Sequence, residues 1–187
     1  MENNRRSESF VGSTDFARAE TLKNGLAVTI RSLRADDREK IATAVRGLDR
    51  QSIYTRLFSY RTELTEAGLD RIMKVDPARE VVLLVTTGTG PDEVVIASAR
   101  YIAAEPGHAA EIAFVVEEDY HGLGIAGRLL RHLAAIGRER GITEFVADVL
   151  DENKAMLAVF TRSGLPMKKR RDGGVVHVTL SLREGQT

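Results

Sequence analysis

Apolar and polar positions along this chain alternate in short runs, broken by clusters of turn-forming residues. LAVTIRSL (26–33) alternates as a half-buried strand does. Asp36 and Asp37 then have the character of a helix cap and first turn, and the pattern after them predicts a helix to Gly47 with Ile41, Ala44, Val45 and Leu48 on one face. A less regular helical stretch covers about 51 to 60, and Thr65 is placed to cap a third helix that offers Ala67, Leu69, Ile72 and Met73 for burial. Strands follow in close order. EVVLLVTT (80–87) runs into a Gly-Thr-Gly-Pro-Asp turn and returns as DEVVIASARYIA (92–103), a hairpin; AEIAFVV (110–116) comes after a second turn at Glu105-Pro106-Gly107.

A long helix is predicted from about 124 to 140, stopped by Gly141, with Ala126, Leu129, Leu130, Leu133 and Ile136 on its buried side. EFVADVL (144–150) is a strand, Asn153 to Ser163 a helix stopped by Gly164, and PMKKRR with VVHVTLSL a terminal hairpin turning through Asp172-Gly173-Gly174. Only 110–150 reads strand, long helix, strand, which calls for one parallel pair joined by a right-handed crossover. Residues 1–24 are expected to be a flexible polar tail and 25–183 a single domain.

Composition changes this picture in a few places. The 187 residues suit one domain, with 43% apolar and 29% charged residues. Lysine plus arginine equals aspartate plus glutamate at 27 each, so the global basic field of a dedicated nucleic-acid binder is missing. Without cysteine there is no disulfide, thiolate nucleophile or cysteine metal site. The four histidines, at 108, 121, 132 and 177, lack metal-ligand spacing, and no metal is expected. His108, in the turn near Glu111, could border a substrate mouth. The KKRR run at 168–171 is best read as a solvated hairpin strand. No apolar run or leader-like start is seen, so a cytoplasmic protein is the default expectation.

The segment EEDYHGLGIAGRLLRHLAAIGRERG (117–141) carries the chemistry. Gly122, Gly124 and Gly127 match the dinucleotide fingerprint G-x-G-x-x-G, and Asp148 stands about 24 residues after Gly124, near where that reading wants an acid. Architecture argues against it. Only about 60 residues follow the motif, and they supply a helix and a hairpin rather than further βαβ units. The P-loop string is absent. The physics survives the loss of both labels: glycines let a ligand approach the backbone, the helix start offers free N–H groups, and Arg128 and Arg131 add positive charge. An anionic ligand is therefore expected, and a pyrophosphate fits, the alternative being a glycine-rich turn between strand and helix that holds no ligand.

HGLGIA (121–126) resembles the acetyl-CoA signature of the GCN5-related N-acetyltransferases, with His121 where glutamine or arginine is usual. Asn153 sits where that family often has a cofactor-contacting asparagine, and NKAMLAVFTRSGL (153–165) resembles the helix and stop that follow it. The element order over about 27–181 matches as well. TIRSLRADDREKI (29–41), SIYTRLFSYRTELTE (52–66) and AEIAFVVEEDYHGLGIA (110–126) are similar to one branch, the bacterial protein-lysine acetyltransferases that act on acyl-CoA synthetases.

The resemblance implies an α/β fold of this family: a mixed, mostly antiparallel central sheet, a parallel strand pair splayed around the acetyl-CoA site, and helices on both faces. It implies acetyl-CoA as co-substrate, held by Phe114, Val115 and Val116 on the splayed strand, by His121, Gly122, Leu123, Gly124, Ile125, Ala126 and Gly127 in the loop, and by Asn153. It implies Glu111 as general base, on the strand face opposite Phe114 and Val116. The general acid stays unassigned, because Phe160 stands where many members have tyrosine and Tyr120 is poorly placed to replace it. Arg56, Tyr60 and Arg61 fall where the family shapes its acceptor site. The expected reaction is acetyl transfer to a primary amine of a protein lysine, the alternatives being a small-molecule amine or a non-catalytic acyl-CoA-binding subunit. Expected partners are that amine, no nucleic acid and no membrane, with homodimerisation left open.

Overall fold

The computed structural model describes residues 16–47, 66–105 and 107–183. The helix expected at 51–60, the cap at Thr65 and the acceptor candidates Arg56, Tyr60 and Arg61 lie outside the described residues. In chain order the elements are strands β1 (Ala17–Thr21) and β2 (Ala27–Ser32), helices α1 (Arg38–Gly47) and α2 (Glu66–Met73), and strands β3 (Glu80–Thr87), β4 (Val94–Ala103) and β5 (Ala109–Val116). Helix α3 (Ile125–Glu139), strand β6 (Glu144–Leu150), helix α4 (Lys154–Arg162) and strands β7 (Met167–Asp172) and β8 (Val175–Ser181) complete them.

Among the described residues the strands form one sheet in the order β1-β2-β3-β4-β5-β6-β8-β7, antiparallel throughout except for β5 with β6. The mixed α/β architecture expected from the sequence is the one observed. Strand β3 shows why a continuous apolar run marks a central position: every residue from Val81 to Thr86 is buried. Val81, Leu83 and Val85 pack with α3 in the main core, which also takes Phe114, Phe145, Phe160 and Leu180. Val82 and Leu84 face the other way, against Ile41, Ala42 and Leu69 of α1 and α2. Each fully buried leucine contributes about 1.5–3 kcal/mol relative to exposure, so β3 anchors both layers.

Two expectations are corrected here. The tail was expected to run to residue 24, yet residues 17–21 form β1, paired with β2 from Ala17–Arg31 to Thr21–Ala27, while Phe16 and Leu22 are buried. Asp37 was expected to be an ordinary first-turn acid. It does accept the Arg34 N–H at 2.7 Å, but it is fully buried and takes the Arg31 guanidinium through two bonds of 2.7 and 2.8 Å. Glu93 accepts from Arg31 at 3.0 Å and from Lys40 at 2.5 Å, closing a four-residue ion cluster between β2, α1 and the start of β4.

Candidate functional site

The site originates in the one parallel strand pair. β5 and β6 share three rungs, Ala109 with Glu144, Ala110 with Phe145 and Glu111 with Val146, and then part. β5 continues on β4 alone and β6 on β8 alone. A groove of about 530 Å³ opens between them, walled by Ile112, Phe114 and Val116 on one side and by Ala147 and Val149 on the other. Phe160 of α4 lines it too, its ring edge-on to Phe114 with centroids 6.1 Å apart. That ring is almost fully buried and brings no polar atom to its part of the wall, whereas Tyr120, judged poorly placed from the sequence, does line the groove.

The far end of the groove is the glycine loop. Gly122 and Gly124 take φ of 75° and 84°, the left-handed region that L side chains enter only at a cost of about 1 kcal/mol or more. Gly124 is the residue that caps α3, and no backbone N–H from 122 to 127 donates to another backbone group among the described residues. Five of these unclaimed donors, on Gly122, Gly124, Ile125, Ala126 and Gly127, belong to residues that line the groove, and together they make a cradle for anionic oxygens. His121 braces this loop through its ring Nε2, 3.0 Å from the Val116 carbonyl.

Of the residues singled out for the ligand, the structure brings Phe114, Val116, His121, Gly122, Gly124, Ile125, Ala126, Gly127 and Asn153 into one groove. Leu123 instead packs on the main core, and the Val115 side chain turns to a separate apolar hollow on the α1 face. Asn153 caps α4, its carboxamide oxygen accepting the Met156 N–H at 3.1 Å, which leaves its NH2 group for the groove.

Glu111 is exposed and occupies the last rung before the strands part. Strand alternation puts it on the face opposite Ile112 and Phe114, with Val146 and Asp148. It has no hydrogen bond or ion pair among the described residues. Asp148 meets His177 across the β6–β8 pair at 2.5 Å. His108, expected as a candidate for the substrate mouth, instead ties its own turn to Gly141, with Nδ1 3.0 Å from that carbonyl.

Arg128 and Arg131 were expected to lend their charge to the loop. Both are taken by Glu20 of β1, a residue the sequence reading left in the tail. Arg128 pairs with Glu20 and donates to the Thr21 carbonyl at 2.9 Å, Arg131 reaches Glu20 at 3.2 Å, and His132 reaches it at 2.5 Å. Burial alone would raise the Glu20 carboxyl, but the bonds from His132 and Arg128 outweigh it and hold the group below its ordinary range. Lys23, in the β1–β2 turn, also lines the groove and was missed. Its signal was present: Asn24-Gly25 between two alternating runs is a strong hairpin mark.

Comparison with known proteins agrees with this geometry. Residues 50–165 match the model of the acetyltransferase (GNAT) family. An acetyltransferase of Pseudomonas aeruginosa is 29% identical over 159 residues, covering 83% of this chain and 84% of that protein. The acetyltransferase Pat of Mycolicibacterium smegmatis is 38% identical over 130 residues, 67% of this chain but only 37% of that longer protein. Among solved structures, the GNAT domain of S. lividans PAT superposes with a TM-score of 0.77 at 31% identity, covering 88% of this chain and 96% of that one.

Proposed function

Since the chain belongs to the acetyltransferase (GNAT) family and is an acetyl-CoA-dependent acyltransferase, we propose that it acetylates a protein lysine, with Glu111 as the general base. The observation that carries this reading is the position of Glu111 at the apex of the strand splay, where the groove between β5 and β6 begins. In this reading acetyl-CoA occupies the groove. The pyrophosphate lies on the N–H cradle of 122–127, the pantetheine arm runs between Phe114 and Ala147, and the thioester reaches the apex. The acyl-CoA-binding subunit without catalysis is set aside.

An amine with a pKa near 10.4 is mostly ammonium at neutral pH, so a proton must leave before attack. Glu111 takes that proton, directly or through one water, and the free amine adds to the thioester carbonyl. From Ile112 onward β5 has no β6 partner, so backbone N–H groups near Phe114 to Val116 are the donors for the oxyanion. The intermediate collapses by breaking the C–S bond as its nitrogen gives its second proton to water, leaving the neutral amide and CoA thiolate. A thiolate is a far better leaving group than an amine and takes its proton from water, so the apolar Phe160 is no obstacle.

The protein acceptor is supported by the open face on which Glu111 stands. Val146, Asp148, Thr179 and His177 share that face, and no described helix covers it over β6, β8 and β7. A broad exposed surface suits a folded acceptor better than a small amine, which calls for an enclosing pocket. Thiol release from acetyl-CoA should therefore be seen with acyl-CoA synthetases as acceptors, and Glu111→Gln should lower kcat/KM roughly tenfold or more with unchanged acetyl-CoA affinity. Turnover confined to small amines would refute the protein acceptor. Full activity of Glu111→Gln would refute the base.

A further inference from the structure

We infer that Lys23, at the tip of the β1–β2 turn, is a binding residue for the pyrophosphate of acetyl-CoA, supplying the positive charge that Arg128 and Arg131 do not. This rests on the reading of residues 122–127 as the pyrophosphate cradle. Three observations support it. Lys23 lines the same groove, and its Cε lies 3.5 Å from where a Cβ on Gly124 would sit, so the ammonium, one bond further, stands over the loop. That ammonium has no hydrogen bond or ion pair among the described residues. Of the other cations near the loop, Arg128 and Arg131 are engaged by Glu20 and Lys154 by Asp151 at 3.3 Å, while Arg162 lines the groove from the opposite end of α4.

The turn that carries Lys23 is held firmly. The Leu22 N–H donates to the Leu26 carbonyl at 2.9 Å, the Gly25 N–H to the Leu22 carbonyl at 3.0 Å, and the Leu26 N–H to Asn24 Oδ1 at 3.1 Å. Leu22 is buried in the main core, and Arg128 grips the preceding Thr21 carbonyl. Glu20 therefore has two effects. It neutralises the arginines of α3, and it docks the hairpin so that Lys23 overhangs the loop. A lysine ammonium, a compact charge with three donors, suits phosphate oxygens that the N–H cradle leaves open. It also closes one side of a site that the loop alone would leave exposed.

The test is calorimetric titration of the full chain with acetyl-CoA and with 3′-dephospho-acetyl-CoA, for wild type, Lys23→Ala and Lys23→Arg. Lys23→Ala should weaken both ligands about tenfold, as loss of a charge-assisted contact does. Lys23→Arg should restore most of the affinity, and the melting temperature without ligand should not change. The wild-type affinity should also fall more steeply with added salt than that of Lys23→Ala. Affinity of Lys23→Ala within about twofold of wild type for both ligands would overturn the inference. So would a loss confined to the ligand bearing the 3′-phosphate, which would assign Lys23 to that group. If wild type bound neither ligand, the cradle reading itself would fall and this inference with it.

Discussion

Asn153 serves two surfaces with one side chain. Its carboxamide oxygen caps α4 through the Met156 N–H, while the same residue lines the groove. The two duties can be separated. Asn153→Ala should lose about 1 kcal/mol of stability, the usual cost of a lost cap, whereas Asn153→Asp keeps the oxygen and should unfold at nearly the wild-type urea midpoint. If both variants unfolded alike, the cap would be irrelevant. Gly122 and Gly124 were legible because glycine is the residue that lets a ligand approach the backbone, whereas Asn153 stood out only through the family resemblance and its capping role did not. Arg128 misled because a charge shows in sequence while its partner, 108 positions earlier, does not.

At the level of elements, alternation and turn chemistry located β2 to β8 to within a few residues, and α3 by its apolar stripe. β1 was lost because Arg18 and Glu20 make an edge strand look like tail, even though Asn24-Gly25 announced the turn. Its docking depends on Glu20, which is largely buried against Arg128 and His132. Removing that acceptor strands cations that were paired, and Glu20→Ala should cost about 2 kcal/mol in chemical denaturation, with Glu20→Gln in between. An unchanged midpoint would show that β1 is held by Phe16 and Leu22 alone. The strand splay was legible only through family resemblance, since no local pattern tells β5 where to leave β6.

For the whole molecule, the ion cluster of Arg31, Asp37, Lys40 and Glu93 couples stability to acidity. Burial would raise the Glu93 carboxyl, but hydrogen bonds from Arg31, Lys40 and Thr86 prevail and hold it at about 2. Asp37 is likewise lowered by Arg31 and the Arg34 N–H against the effect of burial. A depressed carboxyl contributes fully above its unfolded value of 4.5 and loses that contribution as the pH falls toward about 2. The melting temperature should therefore drop between about pH 5 and pH 3, and Glu93→Gln should flatten that slope. Equal slopes in the two proteins would show that other carboxylates control acid unfolding.

The three rungs between β5 and β6 have a further consequence for how the molecule assembles. β1 to β5 each pair with a sequence neighbour, over short turns for β1–β2, β3–β4 and β4–β5 and across the stretch that carries α1 and α2 for β2–β3. β6, β7 and β8 form the other part, hydrogen-bonded to the first only through that brief seam, while Phe145, Phe160 and Leu180 pack into the core the two parts share. Closing the seam brings together segments about 35 residues apart for few hydrogen bonds, and it is the shortest ladder in the sheet and leans most on side-chain packing. Acetyl-CoA laid along the groove touches both halves, and a ligand that binds only the joined form shifts the balance toward it by mass action. The reactant thereby acts as a clasp on its own enzyme, and each turnover that releases CoA briefly leaves the short ladder to the shared core alone.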